Sequence, residues 1–117
     1  MKTLTLFLTT TPYAYENTHT ALQLARAALD KGYAVNLFAS ADGVHNFTAD
    51  QNPKGIPDAG KEFAALIERG LRVELCGTCL NFRGIGADDV MPGSEPSSMK
   101  RLFGLMQSSD VFITLGS

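Results

Sequence analysis

The chain has 117 residues, a length that suits one ordinary domain and is too short for two well-buried cores. Ten Lys and Arg against twelve Asp and Glu give a net charge of −2, so we expect no direct binding of nucleic acid, which usually needs a basic face. Hydrophobic residues at 44% indicate a folded core, and no apolar run approaches the ~18 residues of a membrane-spanning helix. Thr3 and Thr5 interrupt the apolar N-terminus, which we interpret as a strand of a cytoplasmic protein rather than as a signal peptide.

Hydrophobic periodicity predicts four strands that alternate with three helices. The predicted strands cover residues 3–9, 33–39, 71–75 and 111–115. The first helix starts near Asn17 and ends at Gly32, and Asp58 caps a second helix that ends before Gly70. Pro96 suits the first turn of a third helix, whose expected apolar stripe is Met99, Leu102, Phe103 and Met106. This alternation predicts one α/β domain over residues 1–117, with three layers, a mainly parallel sheet and helices on both faces.

Three predicted loops follow strand ends and should share one edge of the sheet, where ligands collect in parallel sheets. They are residues 10–18, 40–57 and 76–94. The second is expected to be a long surface loop, because it is rich in Gly, Asn, Asp and Pro. Tyr13 and His45 are candidate residues of this edge, with packing in the loop or simple solvation as the alternatives.

The third of these loops begins with the sequence Cys76-Gly77-Thr78-Cys79. Gly77 leaves the approach to Cys76 free of a side chain. If residues 77–82 form a helical turn, its free N–H groups would stabilise a thiolate at Cys76, and Arg83 would add positive charge. A single cysteine at this position would most simply be a small buried hydrophobic residue, and the second thiol favours chemistry.

A Cys-x-x-Cys pair in a reducing compartment fits a metal site, a dithiol redox couple or a persulfide carrier. A closed zinc site needs four ligands, and His19 and His45 show no regular spacing to the cysteines, so we predict no metal. A thioredoxin-like motif opens a long helix, whereas Gly84, Gly86 and Pro92 allow only a short one.

Several segments in order resemble the DsrE/TusD family of sulfur-relay proteins over nearly the whole chain. Their motifs are Thr10-Thr11-Pro12-Tyr13, the helix 21–32 with Tyr33 after it, Asp42-Gly43-Val44 with Asn46, and Val73-Glu74-Leu75-Cys76 with Leu80 and Arg83-Gly84-Ile85.

The resemblance implies a sulfur carrier or sulfurtransferase that needs no cofactor. Cys76 would accept sulfur as a persulfide from a donor protein and pass it to an acceptor, within a homo- or hetero-oligomer of trimeric or hexameric type. Cys79 departs from many family members, which have a small non-thiol residue there, and it would be either a resolving thiol or a bystander. A non-catalytic oligomeric or ligand-binding subunit and a dithiol redox protein remain as alternatives.

Overall fold

Across residues 1–49 and 51–116, which the computed structural model describes, five strands and four α-helices alternate along the chain. The strands are β1 Thr3–Leu8, β2 Ala34–Ala39, β3 Arg72–Cys76, β4 Ser94–Ser97 and β5 Val111–Leu115. The helices are α1 Asn17–Asp30, α2 Ala59–Glu68, α3 Gly77–Phe82 and α4 Met99–Ser108. The strands pair in the order β4-β3-β2-β1-β5 and every pairing is parallel, which confirms the predicted fold class.

One side of the sheet, the α1/α2 face, carries the larger core. Alternate residues Leu4, Leu6 and Leu8 of β1 point to this side, as strand periodicity requires, and pack with α1 and α2. The ring of Phe63 on α2 lies 4.6 Å from that of Phe47, centroid to centroid, and both are fully buried. Asp58 caps α2 as predicted, since its carboxylate accepts the N–H of Lys61 at 3.2 Å.

The opposite side, the α4 face, has a much smaller core. Its buried members are Phe38, Cys76 and Leu102, and the partly buried Phe7 and Phe112 pack against them. Phe7 of β1, Phe38 of β2 and Cys76 of β3 point to this side. The residues next to them in each strand point to the α1/α2 face, because side chains alternate along a strand.

The expectation of a surface loop over residues 40–57 is wrong for its first half. Residues Ala41–Phe47 form a 3₁₀ segment whose Val44 and Phe47 are fully buried in the larger core. Asn46 is also fully buried, and it accepts a hydrogen bond from the Thr18 hydroxyl at 2.6 Å and donates to the carbonyl of Gly43 at 2.9 Å. The polar composition of this segment therefore satisfies hydrogen bonds inside the fold instead of facing water.

The predicted third helix is wrong at its start and in its packing. Pro96 lies in β4, where an edge strand tolerates the missing N–H, and α4 begins at Met99 behind the cap residue Ser98. Of the expected stripe only Leu102 is buried. Met99, Phe103 and Met106 are 46%, 63% and 42% exposed, and we call these three residues the outer α4 patch.

No helix within residues 1–49 and 51–116 has the length and hydrophobicity needed to cross a bilayer.

Candidate active site

Cys76 ends β3 and points to the α4 face, where Phe38 and Leu102 enclose it and leave it 4% exposed. The helical turn considered after it is present as α3, and Cys76 is the residue that precedes its first turn. Among the described residues, however, the Cys76 side chain makes no capping hydrogen bond with this helix. The expected hydrogen bonds from the N–H groups of this helical turn to the Cys76 sulfur are therefore not formed.

Cys79 lies one turn further along α3 and is only partly buried. Its sulfur accepts the backbone N–H of Ala41 at an N···S distance of 3.1 Å. The hydroxyl oxygen of Ser40 lies 3.4 Å from the same sulfur, within hydrogen-bonding distance. These groups come from the end of β2 and the start of the 3₁₀ segment, so the neighbouring strand supplies the surroundings of this thiol.

The backbone of Ala41 is held in an unusual conformation. Its φ is +51°, in the left-handed region that residues with a side chain rarely adopt. Gly43, two residues on, runs so close to β1 that an added Cβ would lie 2.2 Å from the carbonyl oxygen of Leu8. Tight packing of the segment against β1 thus holds a strained peptide whose N–H is directed at the Cys79 sulfur.

These contacts change the acidity of the Cys79 thiol. Burial raises its pKa, because the charged thiolate loses water. The hydrogen bonds from Ser40 and Ala41 act in the opposite direction, and a hydrogen bond from Cys76 and the field of Arg83 add to them. The net result is a pKa of Cys79 below its ordinary value of 9.0, which increases the thiolate fraction at neutral pH.

Arg83 makes its closest contacts with a carboxylate. Its Nε and Nη2 atoms both lie 2.9 Å from Oδ1 of Asp42, and its Nη1 donates to the carbonyl oxygen of Cys79 at 3.2 Å. His45 belongs to the same group, with Nε2 at 4.0 Å from the Asp42 oxygen. The structure therefore joins Arg83 and His45, both expected near the site, through Asp42, a residue of the Asp42-Gly43-Val44 motif.

The two remaining candidate residues, Gly77 and Tyr13, make contacts that hold parts of the fold together. Gly77 packs against β4, where an added Cβ would lie 3.2 Å from the carbonyl oxygen of Ser97. Tyr13 donates its hydroxyl proton to Oε1 of Gln51 at 2.8 Å and accepts the N–H of Ala59 at 3.2 Å. Burial raises the pKa of Tyr13, outweighing the Ala59 hydrogen bond, so this side chain joins the first loop to the start of α2 as a neutral phenol.

A buried carboxylate shares the α4 face with Cys76. Glu74 is 6% exposed, and it accepts hydrogen bonds from the hydroxyl of Ser97 at 2.6 Å and from Nε of Arg101 at 3.1 Å. Burial raises its pKa, but the hydrogen bonds from Arg101 and Ser97 and the positive charge of Arg101 prevail and hold that pKa below its usual value. In the part of the chain that is described, no group of three or more His, Cys, Asp and Glu side chains is placed to hold a metal ion.

Sequence reasoning missed Ser40 and Ala41. The hydroxyl of Ser40 follows a strand end and could have been noticed as a donor at the ligand-binding edge of the sheet. Ala41 acts through its backbone N–H, and its side chain carries no chemical signal of that role.

The sequence of the chain is similar to a family of known proteins and to two archaeal relatives. A model of the DsrE/DsrF-like family matches residues 2–115. An uncharacterized protein of Methanocaldococcus jannaschii is 33% identical over 110 residues, covering 94% of this chain and 96% of that protein. An uncharacterized protein of Methanopyrus kandleri is 34% identical over 107 residues, covering 92% of this chain and 88% of that protein.

Solved structures show the same architecture. The ychN protein of E. coli is 25% identical and superposes with a TM-score of 0.92, covering 97% of this chain and 99% of that chain. A protein from Methanobacterium thermoautotrophicum superposes with a TM-score of 0.80 at 13% identity, over 97% of this chain and 99% of that chain. At that lower identity the likeness shows the fold alone.

Proposed function

The chain belongs to the DsrE/DsrF-like family, and from that premise we propose that it carries sulfane sulfur as a persulfide on the Cys76–Cys79 pair. The association of this family with sulfur relay supports the reaction class. The observation that carries the proposal is the sulfur of Cys79, which is partly exposed and held by the Ala41 N–H and the Ser40 hydroxyl. These donors favour a thiolate, the form that attacks sulfur.

The geometry favours Cys79 as the residue at which sulfur enters. Its thiolate attacks the terminal sulfur of a donor persulfide, a new S–S bond forms, the donor's S–S bond breaks and the donor thiolate leaves. In the second step an acceptor thiolate attacks the terminal sulfur on Cys79, so the acceptor gains the persulfide and the Cys79 thiolate is restored. The two exchanges together cause no net oxidation or reduction and require no cofactor.

Cys76 is then the second, resolving thiol, the reverse of the roles that the sequence predicts. It lies in contact with Cys79 but is enclosed by Phe38 and Leu102, which leave little room for a donor protein. After losing its proton to solvent, Cys76 can attack the inner sulfur of a Cys79 persulfide. A Cys76–Cys79 disulfide forms, sulfide leaves, and the two cysteine sulfurs are oxidised as the sulfane sulfur is reduced.

Intact-mass spectrometry after incubation with cysteine persulfide tests the function. We expect the native protein to gain one sulfur that a reductant removes, Cys79→Ser to gain none, and Cys76→Ser to keep the added sulfur longer than the native protein. Loading of Cys79→Ser at the native rate, with none in Cys76→Ser, would return the primary role to Cys76. If the folded native protein gains no sulfur while the denatured protein does, the chain is a non-catalytic subunit and the proposal fails.

Sulfur donor and acceptor proteins are the partners that this function requires, and we propose that the chain also assembles with further copies or with related subunits. The exposed outer α4 patch supports assembly, because a row of large apolar side chains on one helix is typical of a covered surface. In size-exclusion chromatography with light scattering, we expect a trimer or hexamer for the native chain and a monomer for Phe103→Glu. Gln107→Glu, a control on the same helix, should leave the mass unchanged, and a native chain that is monomeric even with its partners would contradict assembly.

The cytoplasmic location stays a prediction.

A further inference from the structure

Three consecutive residues after β2 contact one short stretch of chain around α3. The Ser40 hydroxyl and the Ala41 N–H face the Cys79 sulfur, and the Asp42 carboxylate binds Arg83. Arg83 reaches back to the carbonyl oxygen of Cys79. The Asp42–Arg83 pair therefore joins residues 40–42 to the α3 region, as do the weaker contacts of Ser40 and Ala41 with the Cys79 sulfur.

We propose that Asp42 is a positioning residue for sulfur transfer at Cys79, because its ion pair with Arg83 holds the Ala41 N–H on the sulfur. This inference rests on the proposed function and names a residue that acts through another group. Asp42 itself makes its contacts with Arg83 and His45.

The hydrogen bond from the Ala41 N–H to the Cys79 sulfur needs support from the Asp42–Arg83 ion pair, because it is weak and its donor lies in a strained backbone. Sulfur is a poor hydrogen-bond acceptor, and the left-handed backbone of Ala41 relaxes unless its surroundings prevent it. On one side Gly43 packs against the Leu8 carbonyl. On the other, Asp42 accepts a charge-assisted hydrogen bond from Nε of Arg83, and Nη2 of the same guanidinium lies 2.9 Å from the same carboxylate oxygen. Removal of the second support leaves the segment attached to β1 but free to move away from α3.

The direction in which Asp42→Asn changes the pKa of Cys79 distinguishes a positioning role from a direct effect of charge. The negative charge of Asp42 lies near the thiol, so neutralising it would by charge alone favour the thiolate and lower the pKa of Cys79. Asp42→Asn would also release the Arg83 guanidinium, which acts in the same direction. Loss of the Ala41 hydrogen bond acts in the opposite direction and raises that pKa.

The surroundings of Cys79 keep this test interpretable. Cys76 is the titratable group in contact with it from β3, and Asp42 and His45 lie on the 3₁₀ segment. Arg83 follows α3 and is the charged group whose field favours the thiolate. On the α4 face, the Arg101 charge is paired with Glu74.

The experiment follows the rate of iodoacetamide alkylation against pH in full-length Cys76→Ser protein, where Cys79 is the remaining thiol. We expect Asp42→Asn to move the midpoint upward by about half a unit, which is about threefold less thiolate at neutral pH. Sulfur loading at neutral pH should fall with it. Asp42→Glu, which keeps a carboxylate, should restore most of the native midpoint.

Asp30→Asn is the matched control. Asp30 also pairs with an arginine, Arg69, and its side chain is 62% exposed against 60% for Asp42. We expect Asp30→Asn to leave the midpoint unchanged, even if both variants lower the melting temperature slightly. A midpoint that stays or falls in Asp42→Asn overturns the positioning role whether or not loading occurs. Absence of loading in the native protein instead overturns the proposed function, and the alkylation midpoint still reports on Asp42.

Discussion

The two faces of the sheet differ in what their side chains do. The α1/α2 face is closed by two helices and buries large apolar residues such as Leu6, Phe47 and Phe63 completely. Within the described residues, the α4 face has a small core of Phe38, Cys76 and Leu102 beneath α4, and it also buries the carboxylate of Glu74. Burial of apolar side chains, and with it most of the stability, is therefore concentrated on the α1/α2 face.

The largest expected difference between the faces is in core truncation. Phe63→Ala removes a fully buried ring that packs on Phe47, so we expect it to lower the free energy of unfolding by about 3–5 kcal/mol. Phe103→Ala removes a ring that is 63% exposed on α4, and its effect in the isolated chain should stay within about 0.5 kcal/mol. Urea unfolding of both variants measures this, and equal losses would contradict the comparison.

A smaller effect is expected where the well-packed face meets the candidate site. Gly43→Ala places a Cβ against the Leu8 carbonyl, and the required shift should cost about 1–3 kcal/mol. The same shift moves Ala41, so the alkylation midpoint of Cys79 should rise. Gly104→Ala on α4 is the matched control, because nothing lies within 4 Å of its added Cβ. We expect it to leave the midpoint unchanged and to stabilise the helix by about 0.5–1 kcal/mol.

The charged cluster of the α4 face should affect stability only in part of the pH range. A lowered pKa means that Glu74 stabilises the fold above its unfolded value of 4.5 and that this contribution is lost as pH falls through the folded value. Arg101→Gln removes the partner, so its melting temperature should lie below that of the native chain at pH 7. The gap should close as pH falls below the lowered pKa of Glu74, where the carboxyl is protonated in the native chain as well. A gap that is independent of pH would indicate lost packing instead of lost charge pairing.

Sequence patterns predicted the α/β class, the parallel sheet and both thiols at its edge, because period-2 and period-3.6 hydrophobicity report directly on strands and helices. The same reasoning placed Pro96 in a helix and expected the α4 stripe to be buried. Periodicity identifies an apolar surface but not what covers it, so the stripes of α2 and α4 looked alike and only that of α2 meets a full core. Residues 41–47 were missed because Gly, Asn and Asp in a buried 3₁₀ segment have the composition of a surface loop.

The order of residues alone determined that Cys76 and Cys79 stand three positions apart where a strand ends, and that Asp42 and Arg83 are present at all. The tertiary structure decided which sulfur faces donors, which carboxylate binds the arginine, and which thiol is enclosed by Phe38 and Leu102. The reason is that hydrogen bonds and ion pairs depend on distances of a few ångströms between segments about forty residues apart. Local patterns carry no record of such distances until the sheet brings the strand ends together.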